Sequence, residues 1–253
     1  HPPARVAYMH KHLPKALEQA QKIIVVSNHV KGELMKWMNI SSEKIRVVHN
    51  GLASTFQPVP LDSRKVLLKN YHLPEKYFLY LGTIEPRKNI LTVLKAHQSL
   101  TQSMRSACPI VVVGAKGWLN DEIHRYMSEM EKRGELIRLG YVPDQDLPAV
   151  ISGALASLYP SFYEGFGMPP LEAMACGVPV IASNQTSIPE VLGSAADLVD
   201  PYDVQAFAQS MTRLFQDESY RQSLIMKGHL RAAEFSWHKC AKETLAVYRE
   251  LLD

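Results

Sequence analysis

With 253 residues, 46% hydrophobic and 21% charged, the chain has an ordinary globular composition that excludes disordered and fibrous classes and suffices for one large domain or two small ones. A net charge of +3 is too small at this length to imply a nucleic acid partner. Cys108, Cys176 and Cys240 are odd in number and far apart, which argues against a disulfide framework or zinc site and for a reducing, cytoplasmic compartment. No run of about 18 apolar residues and no leader pattern predicts a membrane span or export.

The chain opens at His1-Pro2-Pro3 without a methionine, as a fragment or processed product would. A Pro-broken opening leads to a polar helix over 13–21, with Lys11, Lys15 and Lys22 nearby; this face could meet an anionic membrane at its cytoplasmic side, though a solvated helical face is the better reading. Short strands follow at 23–26 and 45–48, around a helix over 30–38 capped by Ser27, and Asn50-Gly51 makes a turn. Residues 52–73 turn polar, with Pro58 and Pro60, and read as a linker with a helix over 63–71. The segment before it is too small to hold its own core, so we place a domain boundary here: 1–55 as the tail of an N-terminal domain, 56–235 as the doubly wound domain, and a closing helix in 236–253.

From residue 77 a regular alternation begins. Strands are expected at 77–81, 110–113, 136–139, 154–159, 178–182 and 197–199, with helices over 89–100, 120–133, 147–153, 170–175 and 188–192 between them. Alternation of this kind builds parallel strands with right-handed crossovers, hence an α/β doubly wound, Rossmann-like sheet of about six strands with a partial N-terminal domain remnant; ligands bind such sheets beyond the carboxyl ends of the strands. Helices over 204–216, 219–233 and 238–252 close the chain, with apolar stripes Phe207, Met211, Leu214 and Leu245, Tyr248, Leu252.

Two stretches carry chemistry. After the strand at 77–81, Gly82-Thr-Ile-Glu-Pro-Arg87-Lys88-Asn makes a glycine turn into a helix start. Positive charge at a helix N-terminus opposes the macrodipole, and an anionic ligand would reverse that penalty; otherwise both side chains extend into water. After the strand at 154–159, Glu164-Gly165-Phe166-Gly167 leads into a helix opening at Pro169-Pro170. The glycines let backbone approach a ligand and the helix start offers unpaired N–H groups, a cradle for an anion. Glu164, at its mouth, could meet a ligand hydroxyl. Glu172, placed in the first helical turn, could accept from a vicinal diol or simply complement the helix N-terminus.

Other candidates are weaker. Asp144-Gln-Asp146 offers an Asp-x-Asp, but its place after Pro143 and before a helix favours N-capping, and no catalytic metal is expected. Thr186, Ser187 and Glu190 lie at a strand's carboxyl end, where hydroxyls reach phosphate or serve as turn and cap residues. His10, His12, His49, His97, His124 and His229 share no ligand spacing, Gly114-Ala-Lys-Gly117 lacks a Walker pattern, and Gly165-x-Gly167 meets Pro170 where a dinucleotide fingerprint needs Gly or Ala.

The string Glu164-Gly-Phe-Gly-x-Pro-x-x-Glu172, followed by Ala173-x-x-Cys-Gly-x-Pro-Val-Ile-Ala-Ser183, resembles the signature of the retaining glycosyltransferases of family 4, which have the GT-B fold. The resemblance covers about residues 20 to 250 and is densest from Tyr77 to Asp200. It implies that the chain is the donor-binding half of such an enzyme, with a missing N-terminal domain, that the closing helix crosses back onto the N-terminal part, and that the full protein transfers a hexose from a nucleotide-diphosphate sugar to a saccharide or lipid-linked acceptor with retention. Glu164 then lies by the donor sugar, Glu172 holds the ribose, Arg87 and Lys88 hold the diphosphate after Gly82, the backbone at Tyr141 and Val142 meets the base, and Gly165, Phe166 and Gly167 line the cradle. No cofactor is implied beyond the donor. Similarity of the stretches at 80–90 and 183–191 to mannosyltransferase-like members points to GDP-mannose. A histidine that the family carries near the sugar has no counterpart here, so the chain by itself need not be active. Two alternatives remain open: a nucleotide-sugar epimerase of the same fold, and a non-catalytic nucleotide-sugar-binding module.

Overall fold

The computed structural model describes residues 3–117 and 121–252. The chain divides into two compact units, His1–Gly51 with Phe235–Asp253, and Leu52–Glu234. In chain order the first unit contributes α1 (Pro3–Gln19), β1 (Ile23–Val25), α2 (Asn28–Met38) and β2 (Ile45–Val47). The second contributes α3 (Leu61–Asn70), β3 (Phe78–Leu81), α4 (Ile90–Gln98), α5 (Gln102–Ala107), β4 (Ile110–Val113), α6 (Asp121–Lys132), β5 (Leu136–Gly140), α7 (Leu147–Ser152), β6 (Ala156–Tyr159), α8 (Met168–Ala175), β7 (Val180–Ser183), α9 (Ile188–Leu192), β8 (Asp197–Val199), α10 (Val204–Gln216) and α11 (Glu218–Ala232). The last helix, α12 (Trp237–Arg249), returns to the first unit.

In the first unit β1 and β2 pair in parallel, Ile23 against Ile45, and Ser27 caps α2 by accepting from the Val30 amide at 3.2 Å. Two expectations differ from the structure. The opening is not Pro-broken: one helix runs from Pro3 to Gln19, passing through Pro14, since proline removes one hydrogen bond and the Ala, Leu, Lys and Gln around it are strong helix formers. The stripe Leu245, Tyr248, Leu252 does not pack inward: all three are exposed, and Val247, off that stripe, is the buried side chain of α12. A short helix offers competing stripes, and spacing does not choose between them. The closing segment behaves as the resemblance implies, since 235–253 groups with 1–51 in one unit.

The second unit is the doubly wound domain. Its six strands are ordered β5-β4-β3-β6-β7-β8, and every pairing is parallel. Phe78, Leu79, Val111, Leu158, Val180 and Ile181 are all completely buried, as a sheet covered on both faces requires. Each such side chain contributes about 1.5–3 kcal/mol by leaving water. Phe207, Met211 and Leu214 of α10 join the same core. The helix predicted over 89–100 ends at Gln98 and is followed by α5, which the pattern missed because it is one and a half turns long; Thr101 caps it by accepting from the Met104 amide. The predicted start of the next helix, Asn120, lies outside the described residues.

Strand order reverses between β3 and β6, so the loops after these two strands run to opposite sides and leave a crevice beyond their carboxyl ends. Glycines seat the first of these loops. A Cβ on Gly114 would meet the Gly82 carbonyl oxygen at 2.1 Å, and one on Gly117 the Ile84 oxygen at 2.3 Å, so the loop after β4 lies directly against the loop after β3. Gly114→Ala is expected to cost about 1–3 kcal/mol by overpacking against backbone that cannot move aside. Urea denaturation measures this, and an unchanged midpoint would contradict the close approach.

Candidate active site

Beyond β3, Glu85 is extended and Pro86–Lys88 form a 3-10 turn, after which Asn89 enters the left-handed region at φ 52° and opens α4. The Asn89 amide explains the turn. It donates to the carbonyls of Pro160 (3.0 Å) and Pro201 (2.8 Å) while its oxygen accepts from Thr92 at 2.9 Å. The Phe162 amide donates to the Arg87 carbonyl at 2.9 Å. The loops after β3 and β6 are therefore joined at two points, with their charged side chains between them.

Those side chains form one cluster. Glu164 Oε1 forms ion pairs with Arg87 Nη1 at 2.9 Å and Lys88 Nζ at 2.8 Å. Arg87 Nη2 donates to Glu85 at 2.7 Å and Nη1 to the Tyr163 carbonyl at 2.6 Å, while Lys88 also donates to the Tyr159 hydroxyl at 3.0 Å. The carboxylates are nearly buried, with side chains 4% (Glu85) and 11% (Glu164) exposed, whereas Arg87 is 32% exposed and forms the open edge. Burial pushes the Glu164 carboxyl up, but Lys88 and Arg87 outweigh it and hold it below its ordinary value. Burial also lowers the Arg87 guanidinium, and Glu164 and Glu85 more than restore it. The geometry corrects the dipole argument. Arg87 and Lys88 precede α4 instead of lying in its first turn, and two carboxylates balance their charge, so neither simply extends into water.

Gly165, Phe166 and Gly167 lead from this cluster to α8. Phe166 is 4% exposed, and Gly167 opens the helix at φ 102° where a Cβ would meet the Ile188 side chain at 2.6 Å. The helix begins at Met168, so Glu172 is its fifth residue, beyond the first turn in which a carboxylate complements the dipole. Burial, and then the Asp144 carboxylate, push the Glu172 carboxyl up from 4.5 to about 7. Asp144 follows β5 in the same loop as Tyr141, whose ring is exposed, and Val142, which is 4% exposed. Gly82, Arg87, Lys88 and Glu164 thus form one group, and Glu172 with the loop after β5 a second.

Sequence reasoning missed Glu85, Asn89 and Tyr159. Glu85 stands two positions from Arg87 in a stretch already singled out, but nothing in the pattern marked it as buried. Asp146 holds the N-cap position of α7, yet its carboxylate accepts from the Tyr71 hydroxyl at 2.7 Å and makes no cap hydrogen bond. Among the described residues no three His, Cys, Asp or Glu side chains gather as metal ligands, and no helix is long and apolar enough to cross a membrane. A cavity of about 540 Å³ beneath α3, lined by Arg64, Lys69 and Lys76 among others, lies at the amino ends of the strands, away from these groups.

The glycosyl transferases group 1 family profile matches residues 66–231, and the Glycosyltransferase Family 4 profile matches residues 1–55. O-antigen chain mannosyltransferase B of Escherichia coli is 40% identical over 252 residues, 99% of this chain and 66% of that protein. Among solved structures, sucrose-phosphate synthase from Thermosynechococcus elongatus superposes with a TM-score of 0.79 at 28% identity, over 94% of this chain and 60% of that one. Anabaena Alr3699/HepE, in complex with UDP and glucose, gives 0.80 at 18% identity over 93% and 64%, a likeness of fold, the GT-B fold. The chain spans no more than 66% of the length of each of these relatives.

The raised Glu172 pKa has a consequence for stability. The folded protein holds this proton more tightly than the unfolded chain, so stability is lost as pH rises from 4.5 to about 7 and the loss is complete above that. Glu172→Gln is therefore expected to match the wild type near pH 4.5 and to exceed it by about 3 kcal/mol at pH 8. Chemical denaturation across this range checks it; a difference independent of pH would contradict the assignment.

Proposed function

This chain belongs to the glycosyl transferases group 1 family, and from that premise we propose that its Leu52–Glu234 unit binds a nucleoside-diphosphate hexose and that the full protein transfers the hexose with retention to a saccharide or lipid-linked acceptor. The observation that carries this reading is the convergence of Arg87, Lys88 and Glu164 from two loops onto the crevice where strand order reverses.

The cluster of Glu85, Arg87, Lys88 and Glu164 has no net formal charge, two carboxylates against two cations. A diphosphate entering the crevice is attracted only if it takes cations from a carboxylate. Glu164 is the one that yields. Two cations hold it, and both belong to the loop that the diphosphate meets, whereas Glu85 is more deeply buried and keeps Arg87 oriented. Once released, Glu164 accepts a hexose hydroxyl, and Glu172 accepts from the ribose diol. As the glycosidic bond to phosphate breaks, negative charge grows on the departing diphosphate, and Arg87 and Lys88 stabilise it from fixed positions, the role a divalent metal plays elsewhere. The likeness to a mannosyltransferase supports GDP-mannose as donor and polysaccharide synthesis at the cytoplasmic membrane face as the setting.

Calorimetry with GDP, UDP and ADP tests the reading. Arg87→Ala and Lys88→Ala are each expected to weaken nucleoside diphosphate binding by about tenfold to a hundredfold, as loss of a hydrogen bond to a charged group does. Glu164→Gln removes the competing carboxylate and is expected to tighten the nucleotide while lowering sugar transfer. Failure of all three nucleotides to bind, or weaker nucleotide binding by Glu164→Gln, would defeat the proposal.

A further inference from the structure

The loop between β7 and α9 touches the Glu164 loop in a way that its own backbone does not require. Thr186 Oγ1 accepts from the Glu164 amide at 3.1 Å, and the Ser187 hydroxyl, wholly buried, donates towards the carbonyls of Glu164 (2.8 Å) and Phe166 (3.1 Å). Both main-chain polar groups of Glu164 are thus held by the side chains of two adjacent residues. The next residue, Ile188, packs where a Cβ on Gly167 would stand. Three consecutive side chains meet the stretch from Glu164 to Gly167.

Two features separate this from ordinary turn chemistry. Ser187 occupies the N-cap position of α9, yet its side chain makes no cap hydrogen bond with that helix and turns to the other loop. Thr186 has φ 59°, and among the described residues it is the only β-branched side chain with positive φ; the other non-glycine cases are Asn39, His72 and Asn89. A β-branched residue is a poor choice for that conformation, and strain of this kind persists where surrounding structure imposes it, commonly at functional sites.

We infer that Thr186 and Ser187 are positioning residues for hexose transfer, a pair of hydroxyls that clamp the Glu164 main chain so that its carboxylate stays in place when Lys88 and Arg87 pass to the diphosphate. This inference rests on the transfer reading above. The ion pairs hold Glu164 before the donor arrives; the clamp acts through the backbone and does not depend on them. It governs the placement of Glu164 against the sugar and leaves the diphosphate contacts alone. Loss of a hydroxyl therefore falls on kcat and spares nucleotide affinity.

The test uses the full-length protein, with GDP-mannose and UDP-glucose as donors and released nucleoside diphosphate as the rate. Thr186→Val and Ser187→Ala are expected to lower kcat by about tenfold to a hundredfold, the cost of a displacement near 1 Å, while GDP or UDP affinity stays within about threefold. Thr186→Ser, which keeps the hydroxyl, is expected to restore most of kcat. Thr186→Gly suits the backbone but lacks the hydroxyl, so it is expected to melt no earlier than Thr186→Val and still be slow, a combination that a purely structural role does not produce. Unchanged kcat in Thr186→Val and Ser187→Ala, or an equal fall in nucleotide affinity, would overturn the inference. If the wild type turns over neither donor, the transfer reading fails for these sugars, and the clamp is judged by hydrogen exchange instead. Thr186→Val must then speed exchange of the Glu164 amide, and an unchanged rate refutes it.

Discussion

The site depends on one constraint: four ionisable side chains of opposite sign sit in a poorly hydrated space, and none can be taken away without leaving another uncompensated. Glu164 lies between Arg87 and Lys88, and Glu85 holds Arg87 from behind. Breaking a buried pair by removing one partner costs about 3–5 kcal/mol, because the remaining charge is stranded. The cluster is therefore stable only as a set, and the two loops that carry it must stay in register. Asn89, hydrogen bonded to Pro160 and Pro201, keeps them so.

The sheet supplies the location. Parallel order with a reversal between β3 and β6 opens a crevice at their carboxyl ends, and small residues let the loops around it pack closely, Gly114 against Gly82 and Gly167 against Ile188. The result is a recess with Arg87, Lys88 and the Glu164 carboxylate they hold on one side and the start of α8 on the other, with Glu172 deeper in that helix. On the proposed reading, a phosphate-bearing ligand enters this recess through charge and a sugar through hydroxyls, and the neutral cluster adds selectivity because an anion must displace Glu164 while a ligand that also brings hydroxyls uses the carboxylate it frees.

Much of this was legible in the residues. Apolar strand runs alternating with helix patterns predict the sheet, and Gly82, Gly165 and Gly167 mark the loops that matter. Arg87 and Lys88 stand out because a helix start disfavours positive charge, although in the structure two carboxylates, Glu85 and Glu164, balance them. What was not legible depends on distant partners. Asn89 is in the left-handed region because of carbonyls 71 and 112 positions away, and Thr186 is strained by a loop 22 positions back. Burial of Glu85 and the proximity of Asp144 to Glu172 likewise arise from packing that no local pattern encodes. At α12, two stripes competed and the wrong one looked stronger.

Exchange of partners at Glu164 is the step everything else depends on, and a crystal structure of the protein with GDP-mannose bound tests it most directly. It predicts the diphosphate against Lys88 and Arg87 beside the start of α8, with Glu85 still on Arg87 and the Glu164 carboxylate turned from Lys88 to a sugar hydroxyl. A ligand bound elsewhere, or one in the crevice with both Glu164 ion pairs intact, would contradict it.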